Sequence, residues 1–338
     1  MAPIPSTILT GFLGAGKTTL LNQILQESHG YRIAVIENEF GQENIDSEIL
    51  VHDSAEQIVE MSNGCICCTV RGDLIEALAS LADRRASGEL NFDRVVIETT
   101  GLANPGPVAQ TFFMDDKVAK HYKLDAVITL VDAQHAMQQL DNNVEAQQQV
   151  GFADRILLSK TDLTDQASVD TLTARLKRIN PRSPVIKADF GRVSIAEVID
   201  LHGFNLNDKL EISPDFLNAE GGEHDHACGE HCQHTPTHHM DEVAAFTFRS
   251  EQPFDTALLE EFLSAMIQVY GPQMLRYKGI LYIKDVEHKL IFQGVHQLMG
   301  SDIGGSWDEK ETRNSKMVFI GKNLPKEIFL HGLAQCLV

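Results

Sequence analysis

Near the N-terminus the residues Gly11-Phe12-Leu13-Gly14-Ala15-Gly16-Lys17-Thr18 carry the spacing G-x-x-x-x-G-K-[ST], which has a definite chemical use. Small side chains at Gly14, Ala15 and Gly16 let backbone N–H groups close around phosphate oxygens, and a helix starting at Lys17 adds the positive end of its dipole. Lys17 then reaches the β- and γ-phosphates, the Thr18 hydroxyl suits Mg²⁺, and Thr19 continues the segment. Gly11 closes the strand before the loop. A turn that happens to carry Lys and Thr is the plain alternative, and its context between a strand and a helix argues against it. Glu98 ends the apolar run Arg94-Val95-Val96-Ile97, and an acid at the end of a neighbouring strand is placed to orient a Mg²⁺-bound water.

Sulfur chemistry enters with Cys65-Ile66-Cys67-Cys68. Three thiols within four residues are too close for unstrained mutual disulfides, whereas a turn can aim two or three at one soft cation. Zn²⁺ leads, since thiolates suit it and a carboxylate can complete a tetrahedron; the nearest acids are Glu37, Glu39 and Glu43. Buried free thiols acting as small hydrophobes are the competing reading. His224, His226, Cys228, His231, Cys232 and His234, followed by His238 and His239, form a second cluster without regular spacing. Such a segment can acquire Zn²⁺, Ni²⁺ or Co²⁺ weakly, with affinity falling in acid as imidazoles protonate, or it is only a solvated linker.

For base choice, Ser159-Lys160-Thr161-Asp162 stands after an apolar strand, where many GTPases place Asn-Lys-x-Asp. The Asp162 carboxylate accepts from guanine N1–H and its exocyclic amine, a donor pair that adenine lacks, so GTP is preferred over ATP. Lys160 belongs to the same motif. Ser159 cannot supply the asparagine amide, so one contact to the base or the phosphate loop is lost or replaced.

These residues need elements to hold them. The chain has 338 residues and 43% apolar composition, enough to bury a sizeable core. From residue 6 to about 204 short apolar runs alternate with helical stretches, as in βαβ units around a parallel sheet. The patterning predicts strands at 6–10, 32–37, 94–98, 124–131, 155–159 and 184–187, and helices at 17–27, 73–85 and 168–180. Between Lys209 and Arg249 no basic residue occurs, which marks a mobile linker. Beyond it the sequence predicts a strand at 243–248 and a helix from an Asp255 cap to Tyr270 with Gly271 just past its end. Two or three more strands, near 280–283, 290–295 and 316–320, and a last helix at about 325–336 complete it. The expected division is a doubly wound α/β domain at 1–210, an acidic linker at 211–241 and a smaller α+β domain at 242–338.

Charge narrows the partners. Lys and Arg total 28 against 48 Asp and Glu, a net charge of −20, which repels phosphate backbones and anionic bilayers. Nucleic acid and membranes are not expected partners. The local phosphate site is compatible with this charge, because screening removes most of its effect beyond about 8 Å. The clustered cysteines argue against a secreted disulfide framework, and Met1-Ala2-Pro3-Ile4-Pro5 lacks a basic stretch followed by an apolar one, so a cytoplasmic location is expected.

Taken together, Gly11 to Thr19, Glu37-Asn38-Glu39-Phe40-Gly41, Cys65-Ile66-Cys67-Cys68, Glu98-Thr99-Thr100-Gly101 and Ser159-Lys160-Thr161-Asp162 resemble a CobW-type P-loop GTPase of the zinc metallochaperone family. The stretch Leu275-Arg276-Tyr277-Lys278-Gly279 is similar to the family's C-terminal domain. The resemblance implies a P-loop NTPase fold and a GTPase that uses Mg²⁺ and delivers a transition metal, most often zinc, with cobalt and nickel also represented, to a client metalloprotein. It makes Cys65, Cys67 and Cys68 the Cys-x-Cys-Cys metal motif and Glu37 an acid of the switch segment. Gln42 departs from it, standing where relatives often carry a second acid. γ-Phosphate contacts would then order residues 37–43 and hydrolysis would release them, changing how the thiols are presented. With no arginine finger assignable, turnover of about 10⁻⁴ to 10⁻² s⁻¹ is expected without a partner. A P-loop kinase or ATPase with structural cysteines and a passive zinc store are the rival classes, and a homo-oligomer is left open.

Overall fold

The structure, a computed structural model, describes residues 2–27, 29–37, 57–60, 70–203, 241–308 and 311–338, with only the backbone described at 57–60, 70 and 71. The chain divides into two compact units, Met1–Asn205 and Leu206–Val338.

The first unit is built on strands β1 (Ile4–Gly11), β2 (Ile33–Glu37), β3 (Gln57–Glu60), β4 (Arg94–Glu98), β5 (Tyr122–Asp132), β6 (Arg155–Ser159) and β7 (Val185–Lys187). They form one sheet in the order β3-β2-β4-β1-β5-β6-β7, every pair parallel. A parallel sheet is covered on both faces by its crossover helices, so its central strands are apolar almost throughout. β1 and β5 accordingly bury nearly every residue. Helices α1 (Lys17–Gln26), α2 (Val70–Ala86) and α7 (Gln166–Ile179) match the predicted ones within a few residues.

Two helical pairs were not anticipated: α3 (Pro105–Met114) with α4 (Asp116–His121), and α5 (Ala136–Asn142) with α6 (Val144–Phe152). They are short, and each pair turns at a single residue. Asp115 ends α3 and caps α4, its carboxylate accepting from Lys117 N and Val118 N at 3.0 Å. Broken segments of this length show no sustained 3.6-residue apolar period.

The second unit holds β8 (Val243–Ser250), α8 (Thr256–Tyr270), β9 (Met274–Leu281), β10 (His288–Val295), β11 (Leu298–Ser306), β12 (Ser315–Lys322) and α9 (Lys326–Gln335). Its sheet runs β11-β10-β9-β12-β8 with antiparallel neighbours, and a core of Phe246, Phe248, Tyr277, Phe292, Phe319 and Phe329 takes Leu259 and Leu263 from α8 and Leu333 from α9. Asp255 caps α8 as expected, accepting from Leu258 N at 3.0 Å. Two expectations are corrected. The strand placed near 280–283 is Met274–Leu281, because Gln273 and Gly271 close a tight turn straight after the helix. β11 is absent from the expected strands, since Gly300, Ser301, Asp302, Gly304 and Gly305 weaken a strand pattern, yet an edge position beside β10 tolerates them. Among the described residues no helix is long and apolar enough to cross a membrane.

Candidate functional site

β1 ends at Gly11, the chain turns through Phe12 to Gly16, and α1 begins at Lys17, at the carboxyl edge of the sheet. The turn is closed by Ala15 N donating to Phe12 O at 3.2 Å. Gly16 caps the helix with φ 95°, a left-handed conformation that a side chain would strain, and Gly14 has φ 76°. Lys17 is buried, and its Nζ donates to Gly11 O at 3.0 Å, folded back over the loop. Thr18 and Thr19 are exposed on the first turn of α1.

Strand register brings the acids alongside. Glu98 pairs with Leu9 of β1 on one side and Glu37 of β2 on the other. Thr18 Oγ1 donates to Glu98 Oε1 at 3.2 Å across 80 residues of sequence. A hydroxyl and a carboxylate meeting at the end of a phosphate loop are hard oxygen donors of the kind Mg²⁺ takes, so Thr18 and Glu98 fit that ion. The segment after Glu98 is tied down: Thr99 N donates to Leu9 O at 2.9 Å, and Thr99 Oγ1 bonds Thr10 Oγ1 at 2.9 Å. Gly101 then passes so close to the phosphate loop that a Cβ there would lie 2.7 Å from Leu13 N. Gln149, buried on α6, donates to Gly101 O and Ala103 O at 3.1 and 3.0 Å and fixes that approach.

Glu37 is half-buried at the end of β2, one strand from Glu98, and the backbone of Glu60 pairs with it from β3. Cys65, Cys67 and Cys68, with Glu39, Gln42 and Glu43, lie outside the described residues. So do His224, His226, Cys228, His231, Cys232, His234, His238 and His239. Among the described residues no group of three or more His, Cys, Asp or Glu is arranged to hold a metal.

On the other flank, the asparagine amide missing at position 159 is replaced. Ser159 Oγ donates to Ala15 O at 2.7 Å, so a shorter side chain ties β6 to the phosphate loop. Lys160 adopts φ 57°, and its Nζ donates to Asp132 Oδ2 at 2.8 Å. Asp132 ends β5 and is buried; it also accepts from Gln134 N at 2.9 Å and lies 3.0 Å from His135 Nδ1. Burial alone would push its carboxyl upward, but the Lys160 ammonium and the His135 ring outweigh that and hold it below the usual carboxylate range. Thr161 donates through N and Oγ1 to the Asp189 carboxylate at 2.6 and 2.5 Å, and Asp162 is exposed in the following 3₁₀ turn. Asp132 and Asp189 escaped the sequence reading. Asp132 carried a signal, an acid closing an apolar run as Glu98 does; Asp189 carried none, because only strand order places it beside Thr161.

A family model described as "CobW/HypB/UreG, nucleotide-binding domain" matches residues 5–187, more than half the chain, and one described as "Cobalamin synthesis protein cobW C-terminal domain" matches residues 243–337. The chain belongs to the CobW family. This CobW-family protein is 42% identical over 328 residues to the zinc chaperone YjiA of Escherichia coli, covering 97% of this chain and 96% of that one. It is 34% identical to the zinc-regulated GTPase metalloprotein activator 1 of Schizosaccharomyces pombe, covering 95% and 83%. Its fold matches the crystal structure of the Zn(II)-bound YjiA GTPase from E. coli with a TM-score of 0.80 at 36% identity, each chain covered over 100%. The first unit of this CobW-family chain is therefore a P-loop NTPase fold, a doubly wound parallel sheet followed by a smaller antiparallel α+β unit.

Proposed function

We propose that this protein is a GTPase that couples GTP binding and hydrolysis to delivery of a transition metal, zinc, to a client metalloprotein. The observation that supports the reading is the register Glu37–Glu98–Leu9, in which Glu37, the switch-segment acid proposed as a metal ligand, pairs with Glu98, whose carboxylate meets Thr18 of the phosphate loop. Adjacent strands lie about 4.8 Å apart, so a change at one carboxylate is felt by the next. Chain reach supports the same view: Cys65 follows Glu60 by five positions, and an extended chain spans at most about 18 Å over that length.

GTP enters with its phosphates on the loop and the N-terminus of α1. Lys17 exchanges the neutral Gly11 carbonyl for an anionic phosphate oxygen, a stronger charge-assisted bond. Thr18 and Glu98 would hold Mg²⁺, which would supply positive charge to offset that of the phosphates. Asp162 reads the guanine edge while Ser159 and Lys160 keep that loop in register with the phosphate loop. Glu37, Cys65, Cys67 and Cys68 hold the zinc cargo, Co²⁺ or Ni²⁺ being chemically acceptable to the same donors, and His224, His226, Cys228, His231, Cys232 and His234 are accessory ligands. Loss of the γ-phosphate changes the presentation of the thiols, which couples hydrolysis to release of zinc to the client. Thiolate ligands and GTP both call for a reducing, nucleotide-rich compartment, which supports the cytoplasm as the site of this work.

The test is linkage. GTP affinity is measured on thiol-reduced protein with and without Zn²⁺, in the wild type and in Cys67→Ala. Coupling requires Zn²⁺ to change GTP affinity by the factor by which GTP changes Zn²⁺ affinity, and Cys67→Ala to abolish both. GTP affinities that do not respond to Zn²⁺ in the wild type refute the coupling.

A further inference from the structure

We propose that Phe190 is a stacking platform for the nucleobase, its ring covering the face of the purine whose edge Asp162 reads. The inference rests on the reading of residues 159–162 as the base site, and it adds a residue that no part of that motif contains.

Phe190 is 66% exposed, the most exposed large apolar side chain among the described residues of its unit, beyond Leu13, Leu102, Met114 and Leu163. Its backbone has φ 56° and ψ 26°, the left-handed region that bulky residues rarely occupy. Both neighbours are anchored. Before it, Asp189 takes two hydrogen bonds from Thr161, the residue between Lys160 and Asp162, and Ala188 N donates to Leu158 O at 2.7 Å. After it, Gly191 lies against the start of α1, where a Cβ would sit 3.0 Å from Thr19 O and 2.9 Å from the Leu20 Cα. Gly191 N also closes the turn on Ala188 O at 3.2 Å. The turn is thus clamped between the base motif and the helix that follows the phosphate loop, and its left-handed residue projects an aromatic ring into solvent. A polar residue, or Asn and Gly in particular, would suit that backbone better unless the ring itself is used. Arg192, 5.9 Å from the ring centroid, adds a cation beside an arm that would carry the base of an anionic nucleotide.

Stacking on an aromatic ring strengthens binding without choosing between bases, because every base offers a π-face. Phe190 should therefore tighten all purine nucleotides, while Asp162 discriminates among them by hydrogen bonding. The division of labour separates the two in one experiment on the full chain. Dissociation constants for GDP, GTP, ATP and XTP are measured for the wild type, Phe190→Asn, Phe190→Tyr and Asp162→Asn. Asn suits the left-handed backbone and keeps the fold, which a melting curve checks. The expected result is a roughly 5- to 100-fold loss of affinity for every purine nucleotide in Phe190→Asn, an unchanged GTP-to-ATP ratio and full recovery in Phe190→Tyr. Asp162→Asn, whose amide donates where the carboxylate accepted, should instead turn the preference from GTP to XTP. Affinities in Phe190→Asn within twofold of the wild type overturn the platform, and so does equal loss in Phe190→Tyr. In either case a preserved switch to XTP in Asp162→Asn leaves the base site standing, whereas no switch removes that reading as well.

Discussion

The hydroxyl of Ser159 sits 2.7 Å from Ala15 O, and the ammonium of Lys160 sits 2.8 Å from a buried Asp132 oxygen. Two adjacent residues thereby fasten the loop after β6 to the phosphate loop and to the end of β5. The Asp132 carboxyl has its pKa lowered in the fold, so its charged form contributes stability above the unfolded value of about 4, and that contribution is lost as pH falls through the lower folded value. Asp132→Asn should consequently be less stable than the wild type at neutral pH, and the gap should close as pH falls below the unfolded carboxyl value. Denaturant midpoints across that range check it, and a gap that stays constant or widens in acid contradicts the assignment. Lys160 was legible in the sequence from its motif. Its partner was not, because a salt bridge between residues 132 and 160 depends on β5 and β6 being neighbours.

Elements decide how closely these side chains approach. β4 carries Glu98 to the edge of the sheet, and the chain beyond it must pass Leu13 at Gly101. Replacing that glycine by alanine would drive a Cβ to 2.6 Å from Leu13 Cδ2 and 2.8 Å from its Cα. Backbone cannot yield as a flexible side-chain tip does, so Gly101→Ala should displace the phosphate loop, cost about 1–3 kcal/mol of stability and weaken GTP binding about tenfold or more. Calorimetric titration of GTP, with thermal melting alongside, measures both, and wild-type values in each would show that the loop is not held there. The predicted strands of the first unit were legible because burial on both faces leaves near-continuous apolar runs. Strand β3, by contrast, is four residues long and α3 to α6 are short helices broken at Asp115 and Asn143, so their patterns never span enough turns to register.

At the scale of the molecule, the phosphate loop, Glu98 and the Ser159–Asp162 segment all belong to the unit Met1–Asn205, while Leu206–Val338 folds around its own aromatic core. A ligand that binds only the native form of one unit stabilises that unit by mass action. Saturating GDP should raise the unfolding temperature of the first unit and leave the second transition, carried by the Phe246–Phe319–Phe329 cluster, where it was. Scanning calorimetry with and without GDP reads this, and an equal rise in both transitions would mean that the units melt as one.

The phosphate loop, the strand-end Glu98, the thiol triplet and the Ser159 to Asp162 motif could all be named from sequence. Each is local: a few residues at fixed spacing whose chemistry follows from backbone geometry over one turn. The tertiary structure alone decided that Thr18 meets Glu98, that Glu37 stands one strand away from it, that Ser159 secures Ala15, and that Phe190 is held out beside Thr161. Those facts depend on the order in which parallel strands lie side by side. That order comes from packing crossover helices on both faces of the sheet, a property of the whole chain that no single segment encodes.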